Sequence, residues 1–309
     1  VKVHDAFRLS ILRVAHHGWM YRLVTRTRPG RAVATRFVAG ETLAQALDVA
    51  RSLDRLRTAS MLDHLGENVR SPAQAEDARD DYLAALTALA AVPTLDAAVS
   101  VKLTQLGLET SEQLCWRNLE PILRAADEQG TLVMIDMESH AYVDATLSVF
   151  RRAHGMHPRL GVCLQAYLRR TDADLFTLPP GSRIRLVKGA YLEPPEVVYG
   201  NKRAVDASFA RAFVTLFGRG HAIDVATHDP VLLEGVRRHV DAAGEGWSRV
   251  EFQMLYGVRR DLQQRYARQD YPVRVYVPYG TEWYPYLTRR MAERPANLWF
   301  FLANLVRVT

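Results

Sequence analysis

Two adjacent arginines near the end of the chain, Arg289 and Arg290 in YLTRRMAERPAN (Tyr286 to Asn297), are the residues best suited to hold a small anion. A guanidinium matches a carboxylate through paired, parallel hydrogen bonds. Pro285 suits a first helical turn and Pro295 disfavours helix at the residue before it, so the spacing predicts a short, bounded helix. Adjacent helical residues point about 100° apart, so the pair converges on one anion only where the helix lies over a concave site. Arg294 places a like charge four residues after Arg290, and Glu293 can neutralise Arg289, which leaves one guanidinium over. A solvated basic helix face is the plain alternative.

Further chemistry collects at the ends of short apolar runs. Lys102 ends VSVKL, where it is either a rim lysine reaching for water or a ligand group. Asp136 in VMIDME is open to a structural ion pair with Lys102 or an arginine. Gln165 in CLQAY either satisfies backbone or meets the polar edge of a flavin, having both donor and acceptor. In RIRLVKGAYLE, alternation puts Arg185 on one face with Val187, and Arg183, Ile184 and Lys188 cannot all share the interior. Gly189 lets backbone approach a planar ligand, and Tyr191 fits ordinary packing as well as a site. ATHDP passes into a helix with Asp229 as cap and Pro230 at the first position, where Thr227, His228 and backbone donors favour a phosphate.

The elements that must position these residues form a repeat. β-rich runs occur at Arg57 to Asp63, Ala97 to Leu103, Thr131 to Met137 and Leu160 to Ala166. Four more follow at Arg183 to Lys188, His221 to Ala226, Val250 to Met254 and Val273 to Val277. Between them lie amphipathic stretches at Ala73 to Ala91, Ser111 to Gln129, Tyr142 to His154, Arg203 to Gly218, Pro230 to Ala243 and Val258 to Ala267, with only a short segment after the fourth run. Eight strands alternating with helices predict an α/β fold of the (β/α)8 TIM-type barrel class over residues 57–309, with an open doubly wound sheet as runner-up. Residues 1–56 read as an N-terminal helical arm or cap, with helix to about Pro29-Gly30 and again from Thr42 to Arg55. In a barrel the site lies at the carboxyl ends of the strands, here Asp63 with Gly66 and Glu67, Lys102, Asp136, Gln165, Lys188 with Tyr191, Thr227 with His228, Leu255 and Tyr276. Two lysines and two acids in an apolar mouth are costly without partners, which marks a ligand site.

With 309 residues, 48% of them apolar, the chain can bury a large core. The formal charge of +6 allows weak attraction to acidic membrane surfaces, but the arginines are scattered and no nucleic-acid motif accompanies them. Cys115 and Cys163 form no CxxC pair, which favours a reducing, cytoplasmic setting. His16 with His17 and His154 with His157 lack a third ligand, so no metal is expected. P-loop and GxGxxG motifs are absent, and the apolar run Leu298 to Leu305 is too short to span a bilayer.

Taken together, GETLAQAL, MLDHLGE, VSVKL, IDMES, QAYLRR, RLVKGAY, ATHDP, EFQMLYGV, VYVPYGTEW and YLTRRMAERPAN, in this order from about Gly40 to Asn297, resemble the proline dehydrogenases, the single-function bacterial kind also fused into larger bifunctional enzymes. The resemblance implies a (β/α)8 barrel that holds FAD, oxidises L-proline to Δ1-pyrroline-5-carboxylate and passes electrons to a membrane quinone, with the last helix across the barrel mouth. By motif, Arg289 and Arg290 would bind the proline carboxylate with help from Lys102, and Glu293 is counted with this substrate site. Tyr276, Tyr191 and Leu255 would pack the ring, while Glu67 would pair with Arg289 and shut the pocket. Asp136 and Arg185 match the catalytic pair, and Met137, Gln165, Lys188, Gly189, Ala190, Thr227 and His228 match positions that touch FAD. Leu192 departs from the tryptophan expected of the fused enzymes. Two readings of other classes stand beside this one: a Schiff-base lyase using Lys188 or Lys102 as the amine, and a non-catalytic protein that binds membrane surfaces.

Overall fold

The computed structural model describes residues 27, 34–66 and 69–293, with the helical backbone alone over 289–293. Eight parallel strands close into a barrel in sequence order: β1 (Ala59–His64), β2 (Ala97–Val101), β3 (Val133–Ile135), β4 (Leu160–Gln165), β5 (Arg183–Val187), β6 (Ala222–Ala226), β7 (Val250–Leu255) and β8 (Val273–Tyr279). Closure is made by β1 on β8, from Ala59 opposite Arg274 to His64 opposite Tyr279. All eight expected strands are present, and the open-sheet alternative is excluded. β1 starts two residues later than the apolar pattern suggests because Arg57 takes a left-handed turn at φ 57°.

The helices are α1 (Leu43–Asp54), α2 (Pro72–Ala90), α3 (Glu112–Gln129), α4 (Val143–His154), α5 (Thr171–Asp174), α6 (Lys202–Gly218), α7 (Pro230–Ala243), α8 (Arg260–Arg268) and α9 (Trp283–Glu293). Their ends are set by local chemistry. Thr42 and Gln45 form a capping box on α1, while Ser71, Ser111, Asn201 and Asp229 accept from first-turn amides of α2, α3, α6 and α7. Gly130 and Gly244 close α3 and α7 in the left-handed conformation that glycine adopts without strain. The short segment after β4 is the single turn of α5 followed by a 3-10 turn, Leu175–Thr177. α9 begins at Trp283, three residues before the expected start, so Pro285 falls inside the first turn, where no helical N–H is required.

Strand alternation sorts the side chains. Leu62, Val99, Val101, Ile135, Ile184, Leu186, Val225 and Phe252 turn outward and pack with the helices in one apolar core. Met61, Ala98 and Met134 form a separate small cluster beside Tyr276. That cluster and a set of charged side chains fill the interior of the cylinder.

The wall between β8 and β1 is covered by α1, whose Ala46, Leu47, Ala50 and Leu53 join the main core. The helix that follows β8 is therefore not needed there. Instead α9 packs through Trp283, Tyr286 and Leu287 on Leu65, Ala34, Phe37 and Val38, at the carboxyl ends of β1 and β8. Backbone bonds from Ala39 N to Pro278 O (2.8 Å), Gly280 N to Gly40 O (3.0 Å) and Leu65 N to Tyr279 O (2.7 Å) stitch this entrance together.

Gly257, after β7, holds the helical turn at 34–37 in place. Its φ is +75°, and a Cβ there would lie 1.7 Å from the carbonyl oxygen of Arg36. Gly257→Ala should cost about 2 kcal/mol or more through backbone strain and displacement of that turn. Urea denaturation checks it, and an unchanged midpoint would contradict this packing.

Candidate active site at the carboxyl ends of the strands

Inside the mouth, four charged side chains from four strands or their ends neutralise one another. Lys102 is bonded to Asp63 and lies 3.5 Å from Asp136 Oδ2. Arg185 donates to Asp136 through Nη1, and the same Nη1 lies 3.1 Å from Ser100 Oγ. Arg185 Nε donates to Gln253 Oε1 at 2.8 Å, and the guanidinium sits 5.1 Å from the centre of the Tyr276 ring. Asp136 also accepts from Ser100 Oγ at 2.8 Å and from Tyr276 OH at 2.6 Å. Asp63 is 1% exposed and Arg185 4%. Such burial is tolerable only because each charge has an opposite charge and further hydrogen bonds.

Electrostatics divide the two acids. Burial raises Asp63, and Lys102 only partly offsets it, so its carboxyl stays above the usual range. Burial also opposes the charge of Asp136, but Arg185, Lys102, Tyr276 and Ser100 together outweigh it and hold the carboxyl below that range. For Lys102, burial is outweighed by Asp63, Tyr276 and Asp136, which hold the ammonium well above its ordinary value. Lys102 is thus a buried, paired cation, and the alternative of a rim lysine reaching for water does not apply.

A second group surrounds this centre. Gln165 donates through Nε2 to Met137 O (2.9 Å) and Glu138 O (3.0 Å), which fixes the amide and leaves Oε1 buried without a hydrogen-bond partner. Lys188 is bonded to Asp206 Oδ1 (2.6 Å) and Asp229 Oδ2 (2.8 Å), and Lys202 shares both acids. Asp229 Oδ1 caps α7 by accepting from Val231 N at 3.1 Å, and its own backbone N–H donates to Thr227 Oγ1 at 3.2 Å. The anion at that helix end is therefore already supplied by a side chain. His228 Nε2 accepts from Leu255 N at 2.9 Å, which ties the β6 exit to the β7 exit. A Cβ on Gly189 would strike the Tyr167 ring at 2.1 Å, so glycine is demanded there by an internal neighbour, whatever else approaches the backbone. Ala190 and Tyr191 are half-buried in the same loop.

Of the expected site residues, the structure brings Lys102, Asp136, Arg185 and Tyr276 into one network, with Gln165, Met137, Thr227, His228 and Leu255 around it. Glu67 and the side chains of Arg289, Arg290 and Glu293 lie outside the described residues. The functional roles assigned from sequence omit Ser100, Gln253 and Glu193. Ser100 and Gln253 stand two residues before Lys102 and Leu255 on the same strand face, which is the signal that could have found them. Glu193, whose side chain is 2% exposed, accepts from His140 N at 2.8 Å and from Tyr167 OH at 3.3 Å, joining three loops. No loop periodicity announces it. At the other end of the barrel lies a polar cavity of about 360 Å³ lined by Asp96, Arg159, Arg183 and Arg274, remote from this network.

Lys102→Met should destabilise by about 3–5 kcal/mol near neutral pH, because it leaves Asp63 a buried carboxylate without its cation. Asp63 has a folded pKa above its unfolded value of 3.8, so between the two the native state binds more protons, and lower pH favours folding. The deficit of the variant should shrink from about pH 8 to about pH 5, and Asp63→Asn should restore most of it. Urea midpoints at the two pH values decide this, and a deficit independent of pH would contradict it.

A profile of the family described as Proline dehydrogenase matches residues 46–301. The chain is 38% identical to the proline dehydrogenase of Deinococcus radiodurans, over 99% of each chain. It is 37% identical to proline dehydrogenase 1 of Bacillus subtilis, covering 90% of this chain and 92% of that one. Among solved structures, proline utilization A from Bdellovibrio bacteriovorus, inactivated by N-propargylglycine, superposes with a TM-score of 0.81 at 25% identity over 94% of this chain; only 36% of that longer chain is spanned. The chain belongs to the proline dehydrogenase family.

Proposed function

We propose that this protein oxidises L-proline to Δ1-pyrroline-5-carboxylate with FAD as hydride acceptor, and that the electrons pass on to a membrane quinone. The observation that carries the cofactor is Gln165 Oε1, a buried acceptor with no partner beside the exits of β3 and β4. A flavin ring edge offers N–H donors of the kind that oxygen lacks, and an unsatisfied buried carbonyl is otherwise costly. The residues present thus fit the group. When bound, FAD supplies the redox chemistry, while the protein supplies binding, orientation and charge.

Arg185 is placed to stabilise negative charge that develops against the site, and its direction is held by Asp136, Ser100 and Gln253. Asp136 accepts from three donors at once, so it acts as the anchor of that cation and not as a base for the substrate amine. Lys102, with Arg289 and Arg290, binds the substrate carboxylate, and Glu293 accompanies them. Tyr276, Tyr191 and Leu255 bound the space for the ring, and Glu67 pairs with Arg289 to shut it. Met137, Lys188, Gly189, Ala190, Thr227 and His228 border the cofactor, with Lys188 oriented by Asp206 and Asp229. Among the described residues, no helix is long and apolar enough to cross a membrane, so contact with a quinone pool would be peripheral.

The lyase reading loses ground on one fact. A Schiff-base lysine must be neutral to attack, whereas Lys102 is held charged by Asp63 and its neighbours, and Lys188 is shared between two carboxylates.

The purified protein should be yellow and should bleach when proline is added without oxygen; a flavin that stays oxidised would overturn the substrate. Arg289→Met and Arg290→Met should each cost about 2–5 kcal/mol of carboxylate binding, read from the KM for proline. Unchanged values would mean that the arginine pair does not hold the acid group.

A further inference from the structure

We propose that Gln253 is a positioning residue for Arg185, and that Glu251 orients its amide for that task. The proposal rests on the reading of Arg185 given above. Glu251, Gln253 and Leu255 alternate on β7, so all three belong to the same face of the strand. Gln253 is 3% exposed. Its Nε2 donates to Glu251 Oε1 at 2.9 Å, and its Oε1 accepts from Arg185 Nε at 2.8 Å.

An ionised carboxylate only accepts hydrogen bonds, so Glu251 admits the NH2 side of the amide and refuses the oxygen. Glu251 is itself fixed by Arg274, through Nε at 2.8 Å and Nη2 at 3.1 Å, with Arg183 at 3.5 Å. Arg274 in turn donates to Ser60 O at 2.9 Å and reaches Asp96 at 3.0 Å. Burial opposes the charge of Glu251, but Arg274 and Arg183 outweigh it and hold the carboxyl below its ordinary value. The amide therefore has one orientation, and its oxygen faces Arg185.

Arg185 is otherwise anchored through Nη1, on Asp136 and Ser100, and through Nη2 on the sulfur of Met61, a weak acceptor. Oxygen acceptors at one nitrogen and only a thioether at the next hold the guanidinium plane loosely. The bond at Nε supplies a second, separated point and fixes that plane against the Tyr276 ring. A chain of side chains thus runs from Asp96, at the amino-terminal end of β2, through Arg274, Glu251 and Gln253 to the cation beneath the substrate site.

The test uses the holoenzyme with Gln253→Met, which keeps the volume and removes both hydrogen bonds, in the parent and in Arg185→Lys, which keeps the charge and loses Nε. Loss of one hydrogen bond to a charged group should slow anaerobic flavin reduction by proline about tenfold and lower the flavin midpoint potential. The KM for proline and the FAD dissociation constant should stay within about twofold, because the buried amide is already engaged by Glu251 and Arg185. On Arg185→Lys the same substitution should add nothing. Gln253→Glu sets two carboxylates together and should be slower still and less thermostable. Adding Glu251→Gln lets an amide donate to a carboxylate once more, so rate, potential and unfolding temperature should recover above Gln253→Glu alone. A Gln253→Met protein with parental rate and potential, or one whose defect multiplies that of Arg185→Lys, overturns the proposal. Arg185→Lys with parental rate and potential would overturn the reading of Arg185 and this proposal with it.

Discussion

Asp136 is the point on which the site depends, because it must be charged while its side chain is largely shut off from water. A carboxylate in that position is stable only while Arg185, Ser100 and Tyr276 donate to it together. Those donors come from β5, β2 and β8, so the bond set also fixes the relative height of three strands. Lys102 and Asp63 form a second pair alongside and keep the sum of charges near zero. The low-dielectric interior that makes an unpaired charge costly also makes a held charge effective against whatever is bound above it.

The barrel provides this by giving its interior face to polar residues and its exterior face to aliphatic ones. Arg183 and Arg185 alternate with Ile184 and Leu186 along β5, and Glu251 and Gln253 alternate with Phe252 on β7. Two charge systems result, one at each end of the cylinder. The lower one, of Arg183, Asp224, Glu251 and Arg274, carries no exposed functional groups toward the mouth, but it gives the upper one a rigid footing.

Much of this was legible in the sequence because strand ends are where an apolar run gives way to a polar residue. Lys102, Asp136, Gln165 and Tyr276 announce themselves in that way. Their partners do not. The bond between Lys102 and Asp63 joins residues 39 apart, and that between Arg185 and Gln253 joins residues 68 apart, so each depends on register around the barrel. The same limit explains α1, whose apolar face is plain in LAQALDVARSLD but whose neighbours, β8 and β1, are not. Gly189 shows the converse: a need for glycine was visible, and the reason, the Tyr167 ring, required the fold.

The use of α1 as wall has a consequence for how such a protein can vary. Because the helix that seals the last gap in the cylinder is encoded ahead of β1, α9 is spared any load in the cylinder itself. Substitutions on α9 away from Trp283, Tyr286 and Leu287 then leave the staves of the barrel their fit. The wall of the cylinder and the packing over the carboxyl ends of β1 and β8 are thus carried by separate stretches of the polypeptide, one ahead of the first strand and one after the last.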